Sequence, residues 1–569
     1  MKLTKLAIAS ALALSANLSQ AAQYRVELLP VDAIGVNNFA QALTNDGMMY
    51  VTVQDEFNPP VDISLLDFES ETLINALTDI DAAKAGNFNT EDLTTIVNIL
   101  IQARAANSVV VQRLAQYRSY RTDGVDMDLI PGFDVVTDTF NDYTQSANTI
   151  VRDAIDGSIS VGRGVGPYST LDYVNESGDT ITYVLNEHIN RAFADVNGQT
   201  TPLLSVETRL GGYSEAVAIN NNMQVVGFGA TSLADSSVEF VDSCADDESR
   251  GDLPVELCLR NLRESGGGLA DVLRRTAQTR PHIWQLDASG QVVDVTTYGL
   301  VFEPDADDSF SYTSRAFDIN DAGMAVGSSM TGDGVTITRP GASFGQVEAE
   351  LVAVTYSNGA VTELLPRDEN QLSSATLIND DYIVGTVTRE SNGVSRETMF
   401  VYDMNSDTAT YPRGFFASAG TTPRAINSNN VVVGESEIEA SAEQVREKNA
   451  FMYDISADTL TNLNTLIACD SPYTLVDAVD INDKNEIIAN ARLRAEAKDV
   501  TGEIFLDENG EPVIEDMVYS VKLVPIANGE IDDCQLIDEP VERKGAGLGF
   551  ATALLLVIAG LSRRKVVKL

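Results

Sequence analysis

The stretch SRAFDINDAGMAVGSS, residues 314–329, writes an apolar strand, an Asn-Asp-Ala-Gly turn and a second strand that ends in Val-Gly. The same unit returns as SEAVAINNNMQVVGFG at 214–229 and as TPRAINSNNVVVGES at 422–436. Its core also recurs as ATLIN at 375–379 and AVDIN at 478–482, with weaker copies from Gln41 (QALTNDGMMYVTV) and Asp153 (DAIDGSISVG), so seven copies are read. Each copy is a β-hairpin by composition: apolar residues alternate with period two, and Asn, Asp and Gly at the middle tolerate the positive φ of a tight turn. A marker glycine closes the second strand (Gly162, Gly227, Gly327, Gly385, Gly434), replaced by Val51 in the first copy and Ala489 in the last. Glycine there lets a neighbouring backbone approach.

A second strand-turn-strand element follows each hairpin, for example HIWQLDASGQVVDV, LVAVTYSNGAVTELL and, in the last copy, YSVKLVPIANGEIDD. Two hairpins make four strands, too few to bury both faces of their own sheet. Stacking around a ring solves that problem. The predicted fold is therefore all-β: a β-propeller of about seven four-stranded blades, with six or eight as alternatives, spanning 22–540.

Insertions interrupt the pattern. Residues 70–120 read as a helical hairpin, with Leu93, Ile96, Val97, Leu100 and Ile101 at helical spacing, Gly86 and Asn87 ending one helix, and Asn89 or Thr90 capping the next. Residues 230–280 read as a disulfide-linked loop with a helix beginning near Pro254. Five long interruptions (166–190, 230–280, 330–350, 437–449, 492–516) and a shorter one (388–398) fall between the Val-Gly strand and the second hairpin. A constant phase should place them on one rim of the ring. The 230–280 loop is expected to be a main contributor to partner binding, so that trimming 240–262 abolishes capture and leaves thermal unfolding nearly unchanged.

The chain has 569 residues with 38 Lys+Arg against 84 Asp+Glu, a net charge of −46. Such a surface repels nucleic acid and anionic lipid. Residues 1–21 have the form of a secretory signal: Lys2 and Lys5, the apolar LAIASALALSA, then small residues up to Ala21, the expected cleavage point for signal peptidase. An oxidising destination fits four cysteines. Three pairings are open; the sequential one, Cys244–Cys258 and Cys469–Cys534, is expected, worth about 3 and ~4 kcal/mol if unstrained. No C-x-x-C pair supports zinc.

The C-terminal residues 545–569 begin with Gly545-Ala546-Gly547, continue as an apolar run to Ser562, and end in Arg563, Arg564, Lys565 and Lys568. As a helix the run is barely long enough to cross ~30 Å of hydrocarbon. The order of glycine patch, short helix and basic tail resembles the GlyGly-type C-terminal sorting signal, although Ala546 interrupts the pair. That resemblance implies cleavage near Gly545, Ala546 and Gly547 by a rhomboid-type protease, with the membrane touched only through this segment. The repeat A-x-x-I-N-x-x-G-x-V-V-G followed by A-F-x-Y-D resembles the HAF-type repeats of extracellular proteins. Together these features resemble a family of secreted proteins of unknown function, which implies a fold and an address and no catalytic residues.

Motifs that suggest chemistry are thin. GASFG at 341–345 matches G-x-S-x-G, but no long helix follows Ser343, and both histidines, His188 and His282, lie upstream. His282 beside Trp284 reads as a packed strand residue, and H-E-x-x-H is absent. GRGVGP at 162–167 lacks the context of a dinucleotide loop. DENGE at 507–511 and DADD at 305–308 are partial calcium loops and read as solvated turns, so calcium is a weak expectation and no other cofactor is implied. The recurrent asparagines (Asn220, Asn320, Asn379, Asn427, Asn482) read as turn residues bonding their own backbone. The expected function is a non-catalytic, exported or surface-attached module that binds an unknown extracellular protein or glycan. The alternatives are a carboxylate-dependent glycoside hydrolase or lyase, and a structural envelope protein. A funnel of convergent Asp, Glu, Tyr and Arg would favour the hydrolase or lyase.

Overall fold

In the computed structural model, each copy of the repeat forms the two inner strands of one four-stranded antiparallel sheet, and there are seven such sheets among the described residues. Those residues are 22–531 except 32, 107, 265–276, 306, 340, 392 and 441–445. The expected signal (1–21) and the tail segment (545–569) lie outside them, as do Ala21, Cys534, Gly545, Ala546 and Gly547. Blade three shows the pattern: inner strand Ser214–Ile219, then Gln224–Leu233, Ala277–Leu286 and the outer Val292–Thr297. The inner strands of the other blades are Gly35–Leu43, Thr149–Asp156, Ser314–Ile319, Leu372–Ile378, Thr421–Ile426 and Thr474–Ile481.

The seventh blade differs from its sequence reading. Among the described residues, YSVKLVPIANGEIDD contributes to one strand, Ile514–Pro525, and to no second. The outer strand comes from the other end of the chain: Tyr24–Leu28 pairs antiparallel with it, Tyr24 opposite Pro525 and Leu28 opposite Val521. Ring closure is the physical reason, because a ring whose last blade borrows its first strand cannot open without breaking a sheet.

The marker glycine also has a specific cause. Every inner strand carries a β-bulge against its neighbour, for example between Ala216 and Ala218 in blade three and between Ala316 and Asp318 in blade four. In the glycine-bearing blades a carbonyl of the bulged strand stands in the space a side chain would need. A Cβ on Gly227 would lie 1.9 Å from the Glu215 oxygen, and one on Gly327 1.9 Å from the Arg315 oxygen. Blades one and seven keep the bulge with Val51 and Ala489.

The apolar doublets before the glycine follow from a core made of layers between blades. Val225 packs toward blade two with Val161 and Trp284, whereas its neighbour Val226 packs toward blade four with Ala316 and Tyr356. Val432 and Val433 divide in the same way between the layers shared with blades five and seven. Both faces of the second strand are buried between neighbouring blades, so it reads as a continuous apolar run and not as a strict alternation. Truncating a fully buried ring such as Phe451 should cost about 3–5 kcal/mol.

The insertions leave between the second and third strands. Residues 57–116 of blade one fold as three helices, α1 (Glu71–Ala76), α2 (Ile80–Lys84) and α3 (Thr90–Ala105), where the sequence suggested a hairpin of two. Asn89 caps α3, accepting the Asp92 N–H at 2.8 Å, and Gly86 follows α2 with φ +75. Blade two inserts a two-stranded hairpin, Tyr168–Val174 with Thr180–Asn186. Blade three inserts α4 (Asp235–Ala245), α5 (Asp247–Arg250) and α6 (Val255–Glu264), with Cys244 bonded to Cys258 across a Cα–Cα distance of 5.6 Å.

These insertions merge. Val109, Leu185 and Leu257, one from each of the three blades, form a single buried cluster. The Val184 N–H donates to the Val109 carbonyl at 2.7 Å. On the other side, the Asn58 N–H of blade one donates to the Val500 carbonyl of blade seven at 2.7 Å. The disulfide loop is therefore part of a packed crown. Trimming 240–262 would remove Leu257 and uncover Val109 and Leu185, contrary to the expectation that stability would be nearly unchanged.

Candidate functional site: the central channel and its two mouths

An inner strand runs the length of the channel, so its first residues sit at the mouth bearing the insertions and its turn at the opposite mouth. At the turn mouth, the repeated asparagines do two jobs. Each side-chain oxygen accepts N–H groups of its own turn, as Asn427 does from Asn429 and Val431, both at 3.0 Å. Each side-chain amide then donates to the next blade. Asn220 reaches the Asn320 carbonyl at 2.9 Å, Asn320 that of Asn379 at 3.4 Å, and Asn379 that of Asn427 at 3.1 Å. Asn427 reaches Asn482 at 3.0 Å, and Asn482 reaches Thr44 at 3.2 Å. Six consecutive blades are thus laced together. Blade two breaks the chain, because Asp156 stands at that place and accepts the Ser158 N–H of its own turn at 2.7 Å. The cavity inside this mouth has a volume of about 410 Å³.

Further in lies a collar of three carboxylates, Asp153, Asp318 and Asp480, on blades two, four and seven. Each accepts one N–H from its own strand and one from the next blade. Asp153 takes Ile219 at 2.8 Å, Asp318 takes Ile378 at 2.8 Å, and Asp480 takes Leu43 at 2.6 Å. Desolvation raises their pKa values to about 6, about 8 and about 7, respectively. Mutual repulsion adds to the rise in Asp318 and Asp480, and the backbone donors oppose it.

The mouth on the insertion side is a charged funnel. On blades six and seven, Arg424 binds Glu435 at 3.0 Å and Asp477 at 3.3 Å, and Lys448 binds Glu435 at 2.8 Å. Desolvation raises the pKa of Asp477 against the pull of Arg424, and that of Glu397 against Lys448, Arg339 and Arg424. On blades two to four, the Tyr213 hydroxyl donates to Glu215 at 3.0 Å and Arg163 sits 3.8 Å from the same carboxylate. The Arg315 guanidinium lies over the Phe228 ring at 4.9 Å. Arg152 occupies the bulge of its inner strand. It is exposed to water. Desolvation lowers its pKa, as do the charges of Arg163 and Arg424, with Glu215 acting the other way.

The residues named from sequence fall elsewhere. Ser343 is exposed in the loop between Ala325–Ile337 and Gln346–Ser357, and no helix follows it. His282 is buried, its ring stacked 5.2 Å from Trp284 and its Nδ1 3.0 Å from the Arg280 carbonyl; burial depresses its pKa, with the Arg280 carbonyl acting the other way. His188 is buried edge-on to Phe133 at 4.7 Å. Asp507 of DENGE accepts the N–H groups of Asn509 and Glu511 at 2.8 and 3.0 Å, and Asp308 of DADD accepts that of Phe310 at 2.9 Å. Among the described residues, no group of three His, Cys, Asp or Glu side chains is placed to hold a metal ion. Cys469 is disulfide-bonded; Cys534, its expected partner, lies outside the described residues.

Sequence reasoning missed both the collar and the funnel. One signal for the collar was present: Asp precedes the motif Ile in AFDIN and AVDIN, and a third Asp opens DAID.

Solved structures similar to this chain include a β-propeller domain. The β-propeller domain of the Trilobed protease from Pyrococcus furiosus matches at 11% identity with a TM-score of 0.33, over 73% of this chain and 91% of that one. The Pyrococcus horikoshii acylaminoacyl peptidase matches at 10% with a TM-score of 0.37, over 86% of this chain and 53% of that one. An oligogalacturonate lyase in complex with manganese matches at 9% with a TM-score of 0.32, over 72% and 83%. No curated protein matches the chain. The seven-bladed fold, read above from strand order alone, is accompanied by a family match over residues 1–564, and the chain belongs to the family described as Protein of unknown function (DUF3466).

Proposed function

We propose that this protein is an exported or surface-attached, non-catalytic binding propeller whose partner, an extracellular protein or glycan, docks on the insertion-bearing face. One observation carries the reading: the long insertions share one phase of the blade and, on blades seven, one, two and three, they lock together into a crown beside the charged funnel. Loops held on a rigid scaffold are where binding surfaces concentrate. The signal at 1–21 and the tail at 545–569 supply export and sorting in this reading. The test is crosslinking of the exported protein in its native setting with a carboxyl-directed reagent, followed by peptide mapping. Partner crosslinks at 57–116, 166–190, 230–264 or 497–513 support the reading; crosslinks confined to the turn mouth at Asp321, Asp380 and Asp483 overturn it.

A second reading, carboxylate chemistry on a glycosidic bond, draws support from the funnel itself, where Glu397 and Asp477 are both held toward their protonated forms beside Arg424. It requires turnover that Glu397→Gln or Asp477→Asn removes without loss of folding.

A further inference from the structure

The geometry points to an oxyanion site in the funnel, at which Arg152 and Arg315 grip a carboxylate or phosphate group of a small ligand. This deepens the binding reading above and rests on the same face of the ring.

The argument begins with charge. The chain offers 84 acidic side chains to 38 basic ones, so a surface arginine meets a carboxylate easily. Other funnel cations have done so: Arg424 holds two carboxylates and Lys448 holds one. Among the described residues, the guanidinium groups of Arg152 and Arg315 make no hydrogen bond or ion pair, and the buried Arg315 Nε has no acceptor. Neither group can shed its proton near neutral pH. Arg152 is further opposed by the like charges of Arg163 and Arg424. Around the Tyr213–Glu215 pair, whose single carboxylate the tyrosine already engages, Arg163 sits 3.8 Å from Glu215, Arg315 lies over Phe228, the strand partner of Glu215, and Arg152 occupies the bulge of the inner strand paired with that of Arg163. An entering anion would relieve this excess.

The geometry also sets the ligand class. A guanidinium presents a planar fork that matches the two oxygens of a carboxylate or phosphate. Stacking on Phe228 fixes the plane of Arg315. Phe317, at the bulge of the same inner strand, sits edge-on to Phe228 at 6.4 Å and gives the site an apolar wall. The favoured ligand is therefore a small molecule with an oxyanion next to an apolar or ring-shaped flank.

The test is isothermal titration of the purified protein with citrate and, separately, with inorganic phosphate at matched ionic strength. Saturable binding of either is expected, citrate in the tighter arm indicating a carboxylate ligand and phosphate a phosphoryl one. Arg152→Gln and Arg315→Gln should each weaken it by about tenfold or more. Arg494→Gln, on an exposed strand residue 4.0 Å from Asp516, should not change it. If Arg315→Gln fails to fold, Arg315→Lys keeps the charge and loses the fork, and should still weaken binding. No saturable binding of either anion, or wild-type affinity in both arginine variants, would overturn the site. Either result leaves the crosslinking test of partner docking separate, because that test needs no anion.

Discussion

The carboxylate of Asp480 accepts the backbone N–H of Leu43 at 2.6 Å and so joins the last blade to the first, across 437 residues of sequence. Asp153 and Asp318 make the same bond between blades two and three and between blades four and five. These bonds hold the ring from inside the channel, in a place where charge is expensive.

The pH dependence follows. The folded-state pKa values of about 6, about 8 and about 7 lie above the ordinary 3.8 of aspartate. The folded protein then holds protons that the unfolded chain releases. The stability these groups contribute is full below about 4 and is lost as pH rises through 6 to 8. Thermal unfolding midpoints should therefore fall as pH rises from about 5 to about 9. Asp318→Asn, which keeps an acceptor oxygen and cannot ionise, should flatten the decline by about 1 kcal/mol or more. A midpoint that rises over the same range, or an unchanged slope in the variant, would count against the collar.

The marker glycines are expected to be intolerant. Gly327→Ala places a methyl group against a backbone oxygen that cannot swing away, so it should cost about 3 kcal/mol or more, or block folding. Gly299→Ala, with nothing within 4 Å of the added carbon, should be near neutral. Chemical denaturation of both variants makes the comparison.

The two jobs of the repeat asparagine can be separated. Asn427→Asp retains the oxygen that accepts from Asn429 and Val431 but loses the amide that donates to Asn482 and, at 2.7 Å, to Asn485. Asn427→Ala loses both. Alanine should cost about 2–3 kcal/mol, and aspartate should cost a comparable amount if the inter-blade bond matters. Wild-type stability in Asn427→Asp would reduce the residue to a turn former.

Removing the Cys244–Cys258 bond should lower stability by about 3 kcal/mol, since it closes a short loop. Trimming 240–262 should lower it further, because Leu257 leaves the crown cluster. Differential scanning calorimetry of a Cys244→Ser, Cys258→Ser double variant beside the trimmed chain, both without reductant so that the Cys469 bridge stays intact, distinguishes the two contributions.

Much of the ring was legible in the sequence, and for a physical reason. A blade is a local structure of hairpins, and hairpins are written in turn residues and apolar runs. The copies SRAFDINDAGMAVGSS and TPRAINSNNVVVGES therefore announce themselves. What crosses from one blade to another was not legible. YRVEL at 24–28 carries no mark that it pairs with residues 521–525. The amide of Asn427 looks like any turn residue until its neighbour at Asn482 is in place. Arg152 and Arg424 both sit at the inner-strand bulge, but a bulge shifts register invisibly, and RDAI and PRAI do not align by eye.

The central claim is that the repeated part of each blade builds the ring and the unrepeated part binds. The most direct measurement is the crosslinking map of the exported protein in its native setting. The account predicts partner crosslinks on the insertions of blades seven, one, two and three, with the Asp321, Asp380 and Asp483 turns untouched. Crosslinks concentrated on those turns, with none on the insertions, would contradict it.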